Sequence, residues 1–285
     1  MQSLGSYLRR TASTCLMPLA ARAARAYIAG PEIEDAVRVS QQLAARGYSA
    51  TIGFWDGPGD TPRGVADHYL AALDAISAAK LDAYLSIKLP ALGPSDSLLD
   101  EVLARAREHG IRIHFDSLSP EAADEAWRAI IRAAADRQLS LSVSLPGRWK
   151  RSLDDAEAAI AHGVAVRVVK GQWPDVDRPE LDLSEGFLNV IDRLAGRARH
   201  VSVASHDVEL AAEALRRLRA THSSHDLELL YGLPERRSLR LAEERATPVR
   251  FYVPYGKAYL PYALGQARRN PRMFWWLLRD SVLKG

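Results

Sequence analysis

Short apolar stretches alternate with amphipathic stretches along almost the whole chain. The apolar stretches are four to seven residues long and rich in β-branched residues, which is the pattern of strands buried on both faces. Eight strands are predicted: Tyr48–Phe54, Ala83–Lys88, Ile111–Asp116, Leu139–Leu145, Ala165–Lys170, His200–Ala204, Leu227–Leu230 and Val249–Val253.

Helical patterns rich in Ala, Leu, Arg and Glu lie between these strands. Examples are Gly64–Ala79, Ser97–His109, Pro120–Ala135, Asp154–His162 and Val208–Arg219. Strict alternation of strand and helix predicts a parallel sheet with right-handed crossovers, and eight units favour a closed barrel. No strand is followed by the G-x-G-x-x-G turn of a dinucleotide-binding fold.

The predicted fold is therefore α/β, a single (β/α)8 TIM-type barrel with an extra N-terminal helix. That helix is Ile33–Ala45, expected to cap the N-terminal end of the barrel. Residues 1–30 are interpreted as a lead-in and residues 31–285 as the barrel.

Composition narrows the class of protein but does not indicate an activity. The 285 residues are 47% hydrophobic and 26% charged, with a formal charge of +3 spread among acids, which does not indicate a nucleic-acid partner. The single cysteine, Cys15, excludes an internal disulfide and a cysteine zinc site, and it suits the cytoplasm. The basic segment Tyr7–Arg25 is read as a helical lead-in rather than a targeting signal, and it leaves peripheral membrane contact open.

In a parallel barrel, the active site forms at the C-terminal ends of the strands, so polar residues there are candidates. Lys88 ends the second strand, and it is either a barrel-mouth cation or a snorkelling surface lysine. Asp116 ends the third strand, and it is either a site residue or an N-cap for the helix near Pro120. Because Ser119 suits the capping role better, the site reading of Asp116 is favoured.

The fifth strand carries the run VRVVKGQW, in which Arg167 stands among valines. A buried guanidinium requires a carboxylate or an electron-rich ligand, so Arg167 is a ligand contact or a structural ion pair. Lys170 and Gly171 follow, and the glycine lets the backbone approach a ligand closely. Ser205 and His206 end the sixth strand, where capping of the helix from Val208 is the simpler alternative.

Five motifs, taken together, resemble the proline dehydrogenase family. They are VRVVKGQW, the block beginning at Arg151 sixteen residues before Arg167, Ser205-His206-Asp207, DLELLYG, and the C-terminal VRFYVPYGKAYLPYALGQARRNP. The resemblance spans roughly residues 28 to 283, in order and with matching spacing. The family is FAD-dependent and built on a distorted (β/α)8 barrel.

The resemblance implies roles for individual residues. Arg167 would face the flavin near its reactive nitrogen, and Lys88 and Asp116 would contact the polar end of the substrate. Tyr252 and Tyr262 would form the aromatic wall around the substrate ring. The expected cofactor-binding residues are Arg167, Lys170, Gly171, Trp173, Ser205, His206, Glu228 and Tyr231.

The chain departs from the family pattern at two contacts. Pro146 stands where the family has a glutamine that hydrogen-bonds the flavin, with Ser144 as the nearest polar side chain. The two arginines that hold the substrate carboxylate in the family are here Gly265 and Gln266, with Arg268 and Arg269 one turn later. Losing two charge-assisted bonds of about 1.5–3 kcal/mol each predicts weak binding of free proline.

Three functions remain open from the sequence. The chain is an FAD-dependent dehydrogenase of a cyclic or secondary amine other than free proline, such as an amidated or carrier-linked derivative. Alternatively, it is a true proline dehydrogenase in which Lys88 with Arg268 or Arg269 holds the carboxylate. The third alternative is a flavin-binding barrel with impaired catalysis that serves as a binding partner. The electron acceptor, a quinone or another oxidant, is not named by any motif, and no metal site is predicted.

Overall fold

The strands form a closed parallel barrel in which each pairs with its neighbours in chain order and the eighth pairs with the first. A computed structural model of the chain describes residues 28–57, 59–94, 96–116, 119–171, 175 and 182–257. The strands are β1 (Ser49–Phe54), β2 (Ala83–Ile87), β3 (Ile113–Phe115), β4 (Leu141–Pro146), β5 (Ala165–Val169), β6 (Val201–Ala204), β7 (His225–Leu230) and β8 (Val249–Tyr255). The predicted (β/α)8 barrel is confirmed.

The described helices follow one another in the expected alternation with the strands. They are α1 (Ile33–Ala44), α2 (Pro62–Ala78), α3 (Asp96–His109), α4 (Ala123–Ala134), α5 (Ser152–His162), α6 (Leu183–Leu194), α7 (Val208–Ala220) and α8 (Arg236–Glu244). Short 3-10 turns at Leu89–Leu92 and Pro120–Ala122 precede α3 and α4. Ser119 occupies the N-cap position of the second turn without a side-chain capping bond, contrary to the capping role expected for it.

Local sequence explains where individual helices start and stop. Thr61 accepts a hydrogen bond from the Gly64 N–H at 3.1 Å, and Pro62 at the first helical position suits the start of α2. Gly163 ends α5 in the left-handed conformation at φ 67°. Within the described residues, no helix is both long and apolar enough to cross a membrane.

Helix α1 is confirmed, but its position differs from the expected cap on the N-terminal end of the barrel. The Ala29 N–H donates to the Pro254 carbonyl at 2.9 Å, so the chain leads into α1 from the C-terminal end of β8. The helix then packs along β8 and β1 and beside α2. It therefore lies in the outer helical ring, between β8 and β1, rather than across the bottom.

The apolar core lies between the strands and the surrounding helices. Alternate strand residues point outward and are fully buried, among them Ile52, Leu85, Val168, Leu229 and Phe251. Each such side chain stabilises the fold by about 1.5–3 kcal/mol on burial.

The inner face of the barrel is polar, unlike the bulky apolar layers that usually fill such barrels. Parity along the strands assigns these residues to the interior, where they stand in register across neighbouring strands. They are Thr51, Tyr84, Ser86, His114, Ser142, Ser144, Arg167, Ser202, Asp226, Glu228 and Arg250. Asp226 and Glu228, which alternate with leucines along β7, therefore face a polar interior.

Candidate active site

Arg167 is the centre of the polar mouth of the barrel. Its Nη2 donates to Asp116 Oδ1 at 2.7 Å, its Nη1 to Glu228 Oε1 at 3.1 Å, and its Nε to Ser144 Oγ at 3.0 Å. The guanidinium is only 6% exposed, so these bonds replace water almost completely. Both acid partners hold the pKa of Arg167 above its ordinary value despite burial, which acts in the opposite direction.

Arg167 thus has the carboxylate partners that the ion-pair alternative required. Four strands meet at this one side chain, since Asp116 follows β3, Ser144 lies on β4, Glu228 on β7 and Tyr252 on β8. The arrangement fixes the cation in a single orientation at the C-terminal ends of the strands.

Tyr252 forms a wall of the mouth beside this cation. The guanidinium carbon of Arg167 lies 5.1 Å from the centre of the Tyr252 ring, within cation–π range. Burial raises the pKa of Tyr252, so its hydroxyl is a neutral donor. Gly53 on β1 makes room for it, because a Cβ at that position would overlap with the Tyr252 hydroxyl.

Lys88 follows β2, on the β1–β2 side of the mouth. Its Nζ donates to Asp56 Oδ1 and to the Phe54 carbonyl, both at 2.9 Å, and its side chain is only 17% exposed. The lysine is therefore a mouth cation and not a snorkelling surface residue. The backbone N–H of Asp116 bonds the Ile87 carbonyl, which places Asp116 beside Lys88.

Glu228 is held from below by Tyr84, a residue that the sequence analysis did not select. The Tyr84 hydroxyl donates to Glu228 Oε2 at 3.1 Å, and the guanidinium carbons of Arg112 and Arg250 lie 5.4 Å and 4.5 Å from the centre of the Tyr84 ring. The alternation of polar residues along β2, in which Tyr84, Ser86 and Lys88 share one face, is the signal that would have found it.

Lys170 and Gly171 lie at the rim rather than inside the mouth. Lys170 Nζ bonds Asp207 Oδ2 at 2.8 Å, and this lysine is the first cause of the lowered pKa of Asp207. Gly171 has φ 92°, and a Cβ there would lie 2.8 Å from Pro146 Cβ and 2.9 Å from Arg148 Cγ. The close approach at Gly171 is thus to the loop after β4.

The residues after β6 are tied to the backbone. Ser205 Oγ accepts from the Asp207 N–H, and Asp207 caps α7 by accepting from the Leu210 N–H. His206 Nε2 accepts from the Leu230 N–H at 2.9 Å, so its Nδ1–H faces the Pro234 carbonyl at 3.3 Å. Both ring nitrogens are used, which supports the structural alternative for this motif and leaves only the ring surface for a ligand.

Tyr231 is half-buried at the end of β7, where its backbone N–H donates to the Tyr252 carbonyl. Four predicted site residues, Trp173, Tyr262, Gly265 and Gln266, lie outside the described residues, as do Arg268 and Arg269.

A small cavity opens beside the Arg167 cluster, between β3, β4 and α4. It measures about 30 Å³, which is room for a water molecule or two. Asp116 and Ser144 form part of its polar lining, while Phe115, Trp127 and Trp149 supply aromatic surface.

The described residues fit a flavin in two respects. A fixed cation at the mouth suits a planar ring that gains negative charge on reduction, and the rim cations Lys170 and Arg148 lie near the ends of β5 and β4, where phosphates would require charge. Pro146 offers no side-chain donor, so the hydroxyl of Ser144 is the polar group that β4 brings to the mouth.

The curated relatives of this chain share one name, and their sequence identity to it is low. No family model matches the chain. The chain is 26% identical over 280 residues to "Proline dehydrogenase 1" of Bacillus subtilis strain 168, covering 92% of this chain and 91% of that protein. It is 24% identical over 286 residues to "Proline dehydrogenase" of Deinococcus radiodurans, covering 92% and 90%.

Solved structures share the barrel fold. Proline utilization A (PutA) from Bdellovibrio bacteriovorus, inactivated by N-propargylglycine, matches with a TM-score of 0.74 at 14% identity, covering 87% of this chain and 32% of that one. PutA from Bradyrhizobium japonicum, in a mutant form, matches with a TM-score of 0.66 at 19% identity, covering 91% and 31%. The chain spans about a third of these longer proteins.

Proposed function

We propose that this chain, a distant member of the proline dehydrogenase family, is an FAD-dependent oxidoreductase that converts a cyclic secondary amine, proline or a derivative of it, to an imine. The names of the curated relatives support proline oxidation as the reaction class. When bound, the flavin would supply the hydride acceptor, and the protein would supply binding and orientation.

The observation that carries the proposal is the fixed position of Arg167 at the mouth of the barrel. Three hydrogen bonds and the Tyr252 ring hold the guanidinium where substrates bind in this fold. A cation fixed in this way stabilises negative charge on a reduced ring without rearrangement, which is how preorganised groups contribute to catalysis.

The remaining roles are proposed from the family resemblance. Lys88 and Asp116, neighbours on one side of the mouth, would hold the polar end of the amine, with Tyr252 and Tyr262 against its ring. Lys170, Gly171, Trp173, Ser205 and Tyr231 would contact the cofactor outside the mouth. For Glu228 and His206 the contacts favour support: Glu228 balances Arg167, and His206 links the loops after β6 and β7.

The test of the flavin is direct. The purified chain is expected to be yellow and to release FAD on denaturation, and anaerobic addition of a substrate amine is expected to bleach the visible band. A colourless protein that takes up no FAD on reconstitution would contradict the proposal.

The substrate is proposed to carry a neutral group in place of the proline carboxylate. Gly265 and Gln266 carry no positive charge, a glycine is smaller than the arginine of the family pattern, and a glutamine amide can pair with a neutral carbonyl. Two missing contacts of about 1.5–3 kcal/mol each correspond to a hundredfold or greater loss for free proline. Prolyl amides and carrier-linked prolyl groups fit this description.

The measurement is the ratio of kcat/KM for prolinamide and free L-proline. The wild type is expected to favour prolinamide, and the double variant Gly265→Arg with Gln266→Arg is expected to reverse the order. The matched control, Arg268→Gln with Arg269→Gln, is expected to leave the ratio unchanged. A wild type that prefers free proline, and loses it in the control variant, would identify Arg268 or Arg269 as the carboxylate contact.

A second candidate function is a flavin-binding barrel with impaired catalysis that acts as a binding partner. It is favoured by the same departures, Gly265, Gln266 and Pro146, each of which removes a polar contact from the family pattern. A yellow protein that no amine of this class reduces would support it over the enzyme.

A further inference from the structure

A hydrogen-bonded chain runs from the barrel interior to Arg167. Ser144 Oγ has three neighbours: Arg167 Nε at 3.0 Å, His114 Nε2 at 2.9 Å and Asp116 Oδ1 at 3.3 Å. On the other side of the imidazole, His114 Nδ1 lies 2.9 Å from Ser142 Oγ. His114, Ser142 and Ser144 are all buried.

The chemistry of these groups fixes the direction of each bond. A hydroxyl has one hydrogen and two acceptor positions, and an arginine Nε can only donate, so Arg167 takes one acceptor position of Ser144. The Ser144 hydrogen then points to Asp116 or to His114. A bond to the carboxylate paired with Arg167 is charge-assisted and therefore stronger.

With the Ser144 hydrogen on Asp116, the imidazole must donate through Nε2–H and accept from Ser142 through Nδ1. Burial, followed by the charges of Arg167 and Arg112, lowers the pKa of His114 well below its ordinary value, in agreement with a neutral ring. The tautomer of one buried ring thus decides whether Ser144 can serve Arg167 and Asp116 at once.

We propose that His114 is a positioning residue which, as the neutral Nε2–H tautomer, holds Ser144 and through it the Arg167 guanidinium and the Asp116 carboxylate at the barrel mouth. The consequence for catalysis rests on the proposed function. The hydrogen-bond arrangement itself does not, so the two are tested separately.

The first experiment needs no flavin. Nitrogen-15 NMR of histidine-labelled protein is expected to show His114, identified by its loss in His114→Phe, as the neutral Nε2–H tautomer at pH 7. The Arg167 Nε–H cross-peak, identified with Arg167→Lys, is expected to shift in His114→Phe and to shift less in Ser142→Ala. An imidazolium, an Nδ1–H tautomer, or an unmoved Arg167 cross-peak in His114→Phe would overturn the proposal.

Thr51→Val is the matched control for these spectra. Thr51 is fully buried inside the barrel, and its hydroxyl has no hydrogen-bond partner among the described residues. This variant removes an interior hydroxyl without touching the chain of bonds, so it is expected to leave the Arg167 cross-peak in place. A shift as large as that of His114→Phe would assign the effect to general repacking and overturn the proposal.

The second experiment uses the flavin-loaded enzyme. Ser144→Ala and His114→Phe are each expected to slow single-turnover flavin reduction by tenfold or more. The double variant is expected to be no slower than Ser144→Ala alone, because His114 acts through Ser144. Effects that multiply would overturn the positioning role, and His114→Gln, which keeps a donor, is expected to recover part of the rate. A protein without flavin would remove the proposed function but leave the NMR result standing.

Discussion

At the residue scale, the balance of buried charges around Arg167 determines how loss of the Arg167 side chain affects the stability of the fold. Glu228 is 2% exposed and Asp116 is 21% exposed, so Glu228 depends on Arg167 far more than Asp116 does. From the sequence alone, we expect loss of Arg167 to reduce flavin binding much more than it reduces folding. The buried partner changes that expectation, because removing one member of a buried ion pair leaves an uncompensated charge.

Arg167→Met is therefore expected to lower the free energy of unfolding by about 3–5 kcal/mol. The companion variant Arg167→Met with Glu228→Gln removes the stranded charge and is expected to recover most of that loss, although neither protein should turn over an amine. Urea unfolding monitored by circular dichroism measures both. If the single variant is as stable as the wild type, Glu228 is not balanced by Arg167.

At the element scale, two glycines allow close approaches of different kinds. Gly147 follows β4, and a Cβ there would lie 2.5 Å from the backbone N and Cα of Phe187 at the start of α6. Gly53 on β1 faces only the end of a side chain, since a Cβ there would overlap with the Tyr252 hydroxyl and lie 2.7 Å from Cζ of the ring. Backbone in a packed helix has less freedom to move than the end of a side chain.

Gly147→Ala and Gly53→Ala are thus expected to have opposite profiles. Gly147→Ala should cost more stability, about 1–3 kcal/mol from forced overpacking. Gly53→Ala should cost less, but it displaces Tyr252 from Arg167 and should lower kcat/KM by tenfold or more. Unfolding curves and steady-state kinetics on the same two samples test this prediction. It fails if one variant shows both the larger loss of stability and the larger loss of kcat/KM.

The elements themselves were largely predictable, and their places were less so. Hydrophobic periodicity identified all eight strands, although the third, expected over Ile111–Asp116, is confined to Ile113–Phe115. The extra helix was found, but its place between β8 and β1 depends on contacts with residues more than two hundred positions away. Periodicity carries no information about such distant contacts.

At the scale of the whole molecule, the sequence identified the charged residues at the barrel mouth but not the polar residues inside the barrel that contact them. Arg167 was found because a charge in an apolar strand requires an explanation, Asp116 because it ends a strand, and Glu228 through the family resemblance. Tyr84 and His114 were passed over, since a single polar residue inside a strand is equally typical of a satisfied core position. Strand register brings these residues together, and register becomes visible only when the barrel closes.

The response of the whole fold to acid follows from two buried histidines. Burial is the first cause that lowers the pKa of both His114 and His206. His114 faces Arg167 on β5 and Arg112 before β3, and protonation of His206 would break the bond its Nε2 accepts from the Leu230 N–H. In the unfolded chain, both rings take up protons near their ordinary pKa of about 6.5.

Below pH of about 6.5, the unfolded state therefore binds more protons than the native state, and stability falls as the pH falls. Each histidine contributes up to about 1.4 kcal/mol per pH unit until its lowered native pKa is reached.

Urea unfolding at pH 7.5, 6.5 and 5.5 is expected to show stability that is nearly constant over the first step and reduced over the second. His206→Gln should flatten the second step by up to about 1 kcal/mol, because the unfolded ring is already half protonated at pH 6.5. Equal slopes for His206→Gln and the wild type would mean that the His206 ring carries a proton in the native fold, and the two backbone bonds assigned to its nitrogens would then be wrong.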